Sequence, residues 1–266
     1  MHIMKNGQIN VSVANLYRQP RYSSEVVSQG LLGEIFTILH RDNNFSQIKL
    51  DDGYEGWLSN YQWVDLTNYR LNTKRVRSHL LQIRERPDPL SQPVRDAVIG
   101  TSLYIRGEQK DWVQVILPDG KTGYVPENGF GTFPESTRAG ARHLALEFLG
   151  YPYHWGGRSP KGFDCSGFVQ TVFALLQIKI PRDSWMQHRD GRQVSKDPEQ
   201  AELGDLYFFA ENPGKISHVG IALGGGKIIH ARGMVRMNSL RKADAEFMSD
   251  LADTFVEVRT YFDNTL

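Results

Sequence analysis

The first half of the chain repeats itself at a fixed interval. Shifted by 67 positions, Pro20 falls on Pro87, Gly33 on Gly100, Phe45 on Trp112, Asp52-Gly53 on Asp119-Gly120, and Gly56-Trp57-Leu58 on Gly123-Tyr124-Val125, with no gap between those points. A constant offset across paired turn and aromatic residues describes two copies of one structural unit. Inside each copy, short apolar alternations are separated by turn signals, as where Phe45, Ile48 and Leu50 precede Asp51-Asp52-Gly53. That pattern suits strands joined by tight hairpins and predicts a small all-β barrel in each copy, with Trp57 and Trp112 in the barrel cores.

After about residue 133 the texture changes. Residues 136–150 read as a helix: Ser136 or Thr137 can cap it, Ala139, Leu144, Ala145, Phe148 and Leu149 supply an apolar face, and Gly150 with Pro152 ends it. A glycine-rich loop follows, and residues 164–177 read as a second helix with Phe168, Val169, Val172, Phe173, Leu175 and Leu176 at helical spacing. The remainder is strand-like at 205–210, 218–223, 227–231 and 255–262. Helices followed by an antiparallel run predict an α+β domain.

The 266 residues suffice to bury a core without metal or disulfide. Lysine plus arginine (31) nearly balances aspartate plus glutamate (30), and no segment concentrates basic residues, so no nucleic-acid partner is expected. The N-terminal stretch interleaves Lys5, Asn6, Gln8, Asn10 and Ser12 with apolar residues, unlike a secretory leader. No apolar run is long enough to span a bilayer, and no membrane partner is expected. The chain is expected to be a cytoplasmic monomer as it stands, or periplasmic or secreted if a leader has been removed.

Cys165 is the single cysteine, so no internal disulfide accounts for it. A lone thiol is often a small buried hydrophobe, but Asp164 and Ser166 on either side argue against burial. The predicted start of the second helix is a suitable place for a nucleophile. Unpaired N–H groups and the helix dipole stabilise a thiolate there and can lower its pKa, and the same N–H groups can cradle an oxyanion. A nucleophilic thiol needs a base, and the base needs an orienting group. Among the eight histidines, His218 in "SHVGIAL" and His230 in "KIIHA" sit in strand-like segments joined by Gly224-Gly225-Gly226. That tight connection makes the strands antiparallel neighbours and can bring the two rings together on one face. His2, His40, His79, His143, His154 and His188 show no pattern beyond surface or packing roles.

Two resemblances follow from these motifs. The segments "VANLYRQP" and "DGYEGWL" of the first copy, and more loosely "LLQIRERP" and "DGKTGYV" of the second, resemble bacterial SH3-like domains over residues 8–130. "FDCSGFVQ", "ELGDLYFF", "ISHVGIAL" and "IIHARG", in that order, resemble the NlpC-type cell-wall peptidases, papain-like cysteine peptidases of bacteria, over residues 134–262. The combination is most similar to γ-D-glutamyl-L-diamino-acid endopeptidases that cut murein peptides. It implies a multidomain chain: two small all-β SH3-like barrels at 1–67 and 68–133, then an α+β papain-like domain at 134–266.

The resemblance implies Cys165 as nucleophile, His218 as general base, His230 as the orienting third residue and Tyr153 beside the oxyanion site. Asp164 and Tyr54 match positions that hold the free amine of an N-terminal L-alanine, and Trp155, Ser166 and Ser184 match other pocket positions. Gln19 stands where many relatives carry an acid just before the barrel proline, and a carboxamide cannot pair with an ammonium as a carboxylate does. The substrate implied is a short murein peptide, with the first barrel closing one end of the cleft, and neither cofactor nor metal is expected. On the residues alone, Ser184 could simply cap the turn after Pro181. Three other readings remain open at this level: a wall-binding domain without activity, a zinc site of one Cys and two His, and acyl transfer in place of hydrolysis.

Overall fold

The structure is a computed structural model that describes residues 5–67 and 69–262, so His2 lies outside the described residues. The chain divides into two compact units between Thr132 and Phe133. Among the described residues no helix is long and apolar enough to cross a membrane.

The N-terminal unit contains two antiparallel sheets that follow the sequence repeat. The first comprises β1 (Asn6–Ile9), β2 (Val13–Tyr17), β3 (Val26–Leu31), β4 (Ile35–Asp42), β5 (Phe45–Leu50), β6 (Glu55–Ser59) and β7 (Trp63–Asp65), in the order β3-β2-β6-β5-β4-β1-β7. The second comprises β8 (Thr73–Arg75), β9 (Leu80–Arg84), β10 (Pro93–Val98), β11 (Ser102–Gln109), β12 (Trp112–Ile116) and β13 (Thr122–Pro126), in the order β10-β9-β13-β12-β11-β8.

The repeat is preserved in backbone detail. The paired glycines Gly33 and Gly100 have φ of 82° and 86°, and Gly53 and Gly120 have 84° and 81°, a left-handed turn conformation that side chains disfavour. The β4–β5 pairing shifts register between Ile38 and His40, and the β11–β12 pairing shifts at the equivalent place, between Ile105 and Gly107.

Each sheet covers its own apolar cluster: Ile9, Leu16, Phe36, Ile48 and Leu58 in the first, Leu81, Ile83, Val113, Val115 and Val125 in the second. Leu32 belongs to the first copy by sequence, yet its buried side chain joins the second cluster. Polar contacts also tie the sheets. The Ser12 hydroxyl donates to Asp96 (2.8 Å), Arg95 donates to the Asn10 side-chain oxygen (2.8 Å), and the Asn10 side-chain nitrogen donates to Asp119 (3.3 Å). Trp57 and Trp112 are partly buried and not core residues as expected. Strand alternation turns Gly56 and Leu58, and likewise Val113, inward, so the indoles take the outer faces.

The C-terminal unit opens with α1 (Arg138–Glu147), capped by the Thr137 hydroxyl, which accepts the Gly140 N–H at 3.1 Å. A small hairpin of β14 (Arg158–Ser159) and β15 (Gly162–Phe163) leads into α2 (Cys165–Leu175). Then come α3 (Ser184–Asp190), β16 (Arg192–Ser195), β17 (Leu206–Phe209), β18 (His218–Gly224), β19 (Lys227–Arg232), β20 (Met234–Ser239), α4 (Ser249–Thr254) and β21 (Phe255–Thr260). The sheet order is β16-β21-β17-β18-β19-β20, all antiparallel.

Helix α2 is buried along nearly its whole length through Phe168, Val169, Val172 and Phe173, and it lies against β18 and β19. Burying one such side chain is worth about 1.5–3 kcal/mol, so this contact fixes the N-terminus of α2 against the sheet. Phe148, Phe163 and Phe168 pack edge to face beneath the entry to α2, with ring centroids 5.1 to 6.4 Å apart. The two expected helices and four expected strands of this half are present. Elements α3, β16, β20 and α4 were not anticipated, since their exposed and polar residues mask any period.

Candidate active site

Cys165 is the first residue of α2 and Asp164 its N-cap, with extended backbone at φ −88°, ψ 177°. The sequence dictates this local structure: Gly162-Phe163 pairs in the hairpin, and an aspartate at the break can accept from the first turn. Asp164 does more than cap. Its Oδ1 accepts from the Gly167 N–H (2.7 Å), from Arg182 (3.0 Å) and from the Ser166 hydroxyl (3.3 Å). Its Oδ2 accepts from the Gly156 N–H (2.9 Å) and from the other Arg182 nitrogen (2.6 Å). Arg182 is almost fully buried and also donates to the Ser166 hydroxyl at 3.0 Å. A two-toothed ion pair thus neutralises the carboxylate beside the thiol.

Arg182 corrects one expectation. Asp164, Cys165 and Ser166 are all buried, because the guanidinium folds in to satisfy the polar neighbours that seemed to forbid burial. It also bears on the thiol. The Cys165 pKa is pushed up to about 12, chiefly by burial and next by the Asp164 charge, against the Val219 and Ser166 backbone amides and the Arg182 charge, which favour the thiolate. The helix terminus is where the sequence places it, and burial is the largest influence on the thiol there, acting against ionisation.

The candidate base lies on the sheet. His218 begins β18 and His230 is on β19, and the turn between them needs left-handed backbone at Gly224, Gly225 and Gly226 (φ 83°, 59° and 74°), which only glycine supplies readily. His218 Nε2 lies 2.8 Å from His230 Nδ1, so the two rings meet on one face as expected. His230 is fully buried, and its Nε2 lies 3.1 Å from Asn238 Oδ1 on β20. Burial pushes His218 down to about 3, with further lowering from His230 and Arg232. Burial also pushes His230 down to about 4, partly offset by the Asn238 bond, with Arg236 and Arg232 lowering it further. Both rings are neutral at neutral pH, and a neutral imidazole can accept the thiol proton.

The Val219 amide acts on the Cys165 sulfur, which places the start of β18 at the start of α2. Tyr153 is partly buried, and its pKa is raised first by that burial and then by the Cys165 and Asp164 charges, so its hydroxyl stays protonated. The structure therefore brings together Cys165, His218, His230, Tyr153, Asp164 and Ser166. Ser184 is buried at the first position of α3 and does not cap it; the N-cap is Asp183. Trp155 is 60% exposed, directly before the Gly156 amide that Asp164 holds. Tyr54 and Gln19 belong to the N-terminal unit. Tyr17 pairs with Trp57, so Gln19, two residues on, and Tyr54, three residues before, lie at one end of the β2–β6 pair. Asn238 and Arg182 were missed; neither sits in a motif, and each reaches the site through pairing or folding distant in sequence.

A zinc site is disfavoured by the geometry. Both His230 nitrogens are engaged, by His218 and Asn238, and among the described residues no group of three or more His, Cys, Asp or Glu is arranged to hold a metal ion.

A thiol at a helix N-terminus, backed by a histidine pair on an antiparallel sheet, defines a cysteine-type peptidase site. Comparison with known proteins agrees. The profile of the NlpC/P60 family matches residues 150–250, and that of the bacterial dipeptidyl-peptidase Sh3 domain matches residues 16–62. A gamma-D-glutamyl-L-lysine dipeptidyl-peptidase of Bacillus cereus is 31% identical over 234 residues, covering 79% of this chain and 68% of that protein. Dipeptidyl-peptidase 6 of Lysinibacillus sphaericus is 27% identical over 278 residues, covering 97% and 100%. The crystal structure of an NlpC/P60 family protein from Bacillus cereus superposes with a TM-score of 0.82 over 97% of this chain and 100% of that one, at 24% identity, a likeness of fold. The chain belongs to the NlpC/P60 family of cysteine peptidases.

Proposed function

We propose that this chain hydrolyses the γ-D-glutamyl to L-diamino-acid bond of murein stem peptides, preferring short peptides with a free N-terminal L-alanine. The observation that carries the chemistry is the Cys165 thiol at the head of α2 together with the His218–His230 contact at 2.8 Å. The bond is supported by the name of the first relative above, a gamma-D-glutamyl-L-lysine dipeptidyl-peptidase, and the murein substrate class by the family to which the chain belongs. We further propose two SH3-like barrels, at 1–67 and 68–133, ahead of the peptidase domain at 134–266. The second barrel is supported by the shared turns and register shifts of the repeat.

His218 Nδ1 takes the Cys165 proton as the sulfur attacks the γ-carbonyl carbon, so the S–C bond forms as the carbonyl becomes an oxyanion. The amide N–H groups at the start of α2 and the Tyr153 hydroxyl stabilise that oxyanion. Collapse breaks the C–N bond, and His218 returns its proton to the departing amine. Water, deprotonated by His218, then attacks the thioester, releasing the acid and restoring the thiol. His230 holds the His218 ring throughout. Asp164, Ser166, Ser184 and Trp155 are candidate pocket residues, and Tyr54 and Gln19 are candidate contacts to the amino end of the peptide. Because Asp164 is already paired with Arg182, the free-amine preference is expected to be graded and not absolute.

The test is cleavage of L-Ala-γ-D-Glu-L-Lys, free and N-acetylated, by wild type and Cys165→Ala. Faster cleavage of the free peptide by wild type, and none by the variant, is expected. Absence of cleavage by wild type would overturn the γ-D-glutamyl reading, and efficient release of fragments from whole sacculi would overturn the short-peptide preference.

A further inference from the structure

Asn238 has no place in any motif, yet it is buried and touches the second histidine. Its Nδ2 donates to the Glu246 backbone carbonyl at 3.3 Å, and its Oδ1 lies 3.1 Å from His230 Nε2. That carbonyl is itself held, accepting the Ser239 N–H at 2.9 Å. The loop carrying it is pinned to Ser239 as well: the Ser239 hydroxyl donates to Asp244 at 2.7 Å and accepts the Arg241 N–H at 3.1 Å.

The donors and acceptors admit one assignment along this line. A carbonyl oxygen only accepts, so the Asn238 nitrogen must face Glu246 and its oxygen must face His230. An amide oxygen also only accepts, so His230 Nε2 must carry the hydrogen. In a neutral imidazole that leaves His230 Nδ1 bare. The contact at 2.8 Å then requires His218 Nε2 to donate, which leaves His218 Nδ1 bare. This is the ring nitrogen that the mechanism above requires as its base.

We propose that Asn238 is a positioning residue that sets the tautomer of the base through His230, with the Glu246 carbonyl as the fixed end of the relay. The inference rests on the reading of His218 as the base, and goes beyond it by tracing what keeps the correct nitrogen free. Asn238 never touches substrate. Without its oxygen, His230 can place its hydrogen on Nδ1, where it meets the His218 Nε2 hydrogen unless His218 also flips to the tautomer that cannot accept the thiol proton.

The test uses the full chain labelled with ¹⁵N-histidine, whose ring-nitrogen signals report tautomers directly, with Asn238→Leu and Asn238→Asp beside wild type. The leucine variant removes the acceptor at similar volume, and the aspartate variant keeps it. Wild type at neutral pH should show hydrogen on Nε2 and none on Nδ1 for both His218 and His230. Asn238→Leu should add the Nδ1–H form of His230 and lower kcat about 10- to 100-fold, the usual size for an outer partner that orients a histidine, with KM within about twofold. Asn238→Asp should keep the wild-type tautomers and most of kcat, although it buries a charge and lowers the melting temperature. A wild-type His230 with its hydrogen on Nδ1 overturns the proposal, as does an Asn238→Leu protein with unchanged tautomers and unchanged kcat. If the leucine variant does not fold, the wild-type pattern and the aspartate variant still decide. If no murein peptide is cleaved at all, the functional reading fails while the ring signals continue to test the relay.

Discussion

His218 Nε2 stands 2.8 Å from His230 Nδ1, a contact through which His230 can hold the ring of the proposed base. The two residues should therefore fail differently. His218→Ala removes the proposed base and should lower kcat/KM by about 10²- to 10⁴-fold, the range for a general acid–base group. His230→Ala should lower it less, and His230→Gln, which keeps an acceptor, should recover part of the loss. Steady-state kinetics with the tripeptide checks the order; equal losses for His230→Ala and His230→Gln would contradict it.

Gly220 makes the contact possible. A β-carbon there would stand 2.5 Å from Ile228 Cδ1, which can rotate away, and 2.8 Å from the His230 Cβ, which is fixed to the backbone of β19 and cannot. Gly220→Ala should displace His230 from His218 and cost about 1–3 kcal/mol through overpacking, with a loss of activity larger than the unfolded fraction explains. Denaturant unfolding and kcat measured on the same preparation separate the two effects. Full activity in a stable Gly220→Ala protein would show that His230 does not need its present position.

Stability should fall as the solution is made mildly acidic. His218 and His230 have folded pKa values of about 3 and 4 against an ordinary 6.5, so below pH 6.5 the unfolded chain binds more protons than the folded one. The folded state is penalised progressively from pH 6.5 down to the folded values, by up to about 1.4 kcal/mol per pH unit for each ring. Urea midpoints at pH 7.5 and 5.0 test this, and His230→Gln should show a shallower dependence. The same property keeps His218 unprotonated, and able to act as base, in weak acid.

Leu32 links the two sheets of the N-terminal unit, since a residue of the first copy is buried in the cluster of the second. Leu32→Ala should cost about 2–5 kcal/mol. Hydrogen exchange should quicken in both β9–β13 and β1–β7, whereas an effect confined to either sheet would show that they are independent.

The sequence made some of this legible and not the rest, for reasons visible in particular residues. The repeat could be read because Gly33 and Gly53 recur at Gly100 and Gly120, and these turns fix the hairpins. Cys165 and the two histidines could be read because a glycine-rich break, a helix start and a three-glycine turn are local signals. Asn238 was hidden because its nearness to His230 depends on the β19–β20 register, in which it pairs with Ile228. Arg182 was hidden because its partner lies 18 residues away, across the whole of α2. The burial of the thiol was hidden for the same reason: the helix start shows in the sequence, but the packing that encloses it does not.

The most direct test of the central claim is to stop the reaction of wild type with L-Ala-γ-D-Glu-L-Lys during turnover in acid and weigh the protein. The account predicts a transient mass increase equal to an L-Ala-D-Glu acyl group, carried on the tryptic peptide containing Cys165 and absent in Cys165→Ala. Turnover without any such adduct, together with cleavage by Cys165→Ala, would contradict it.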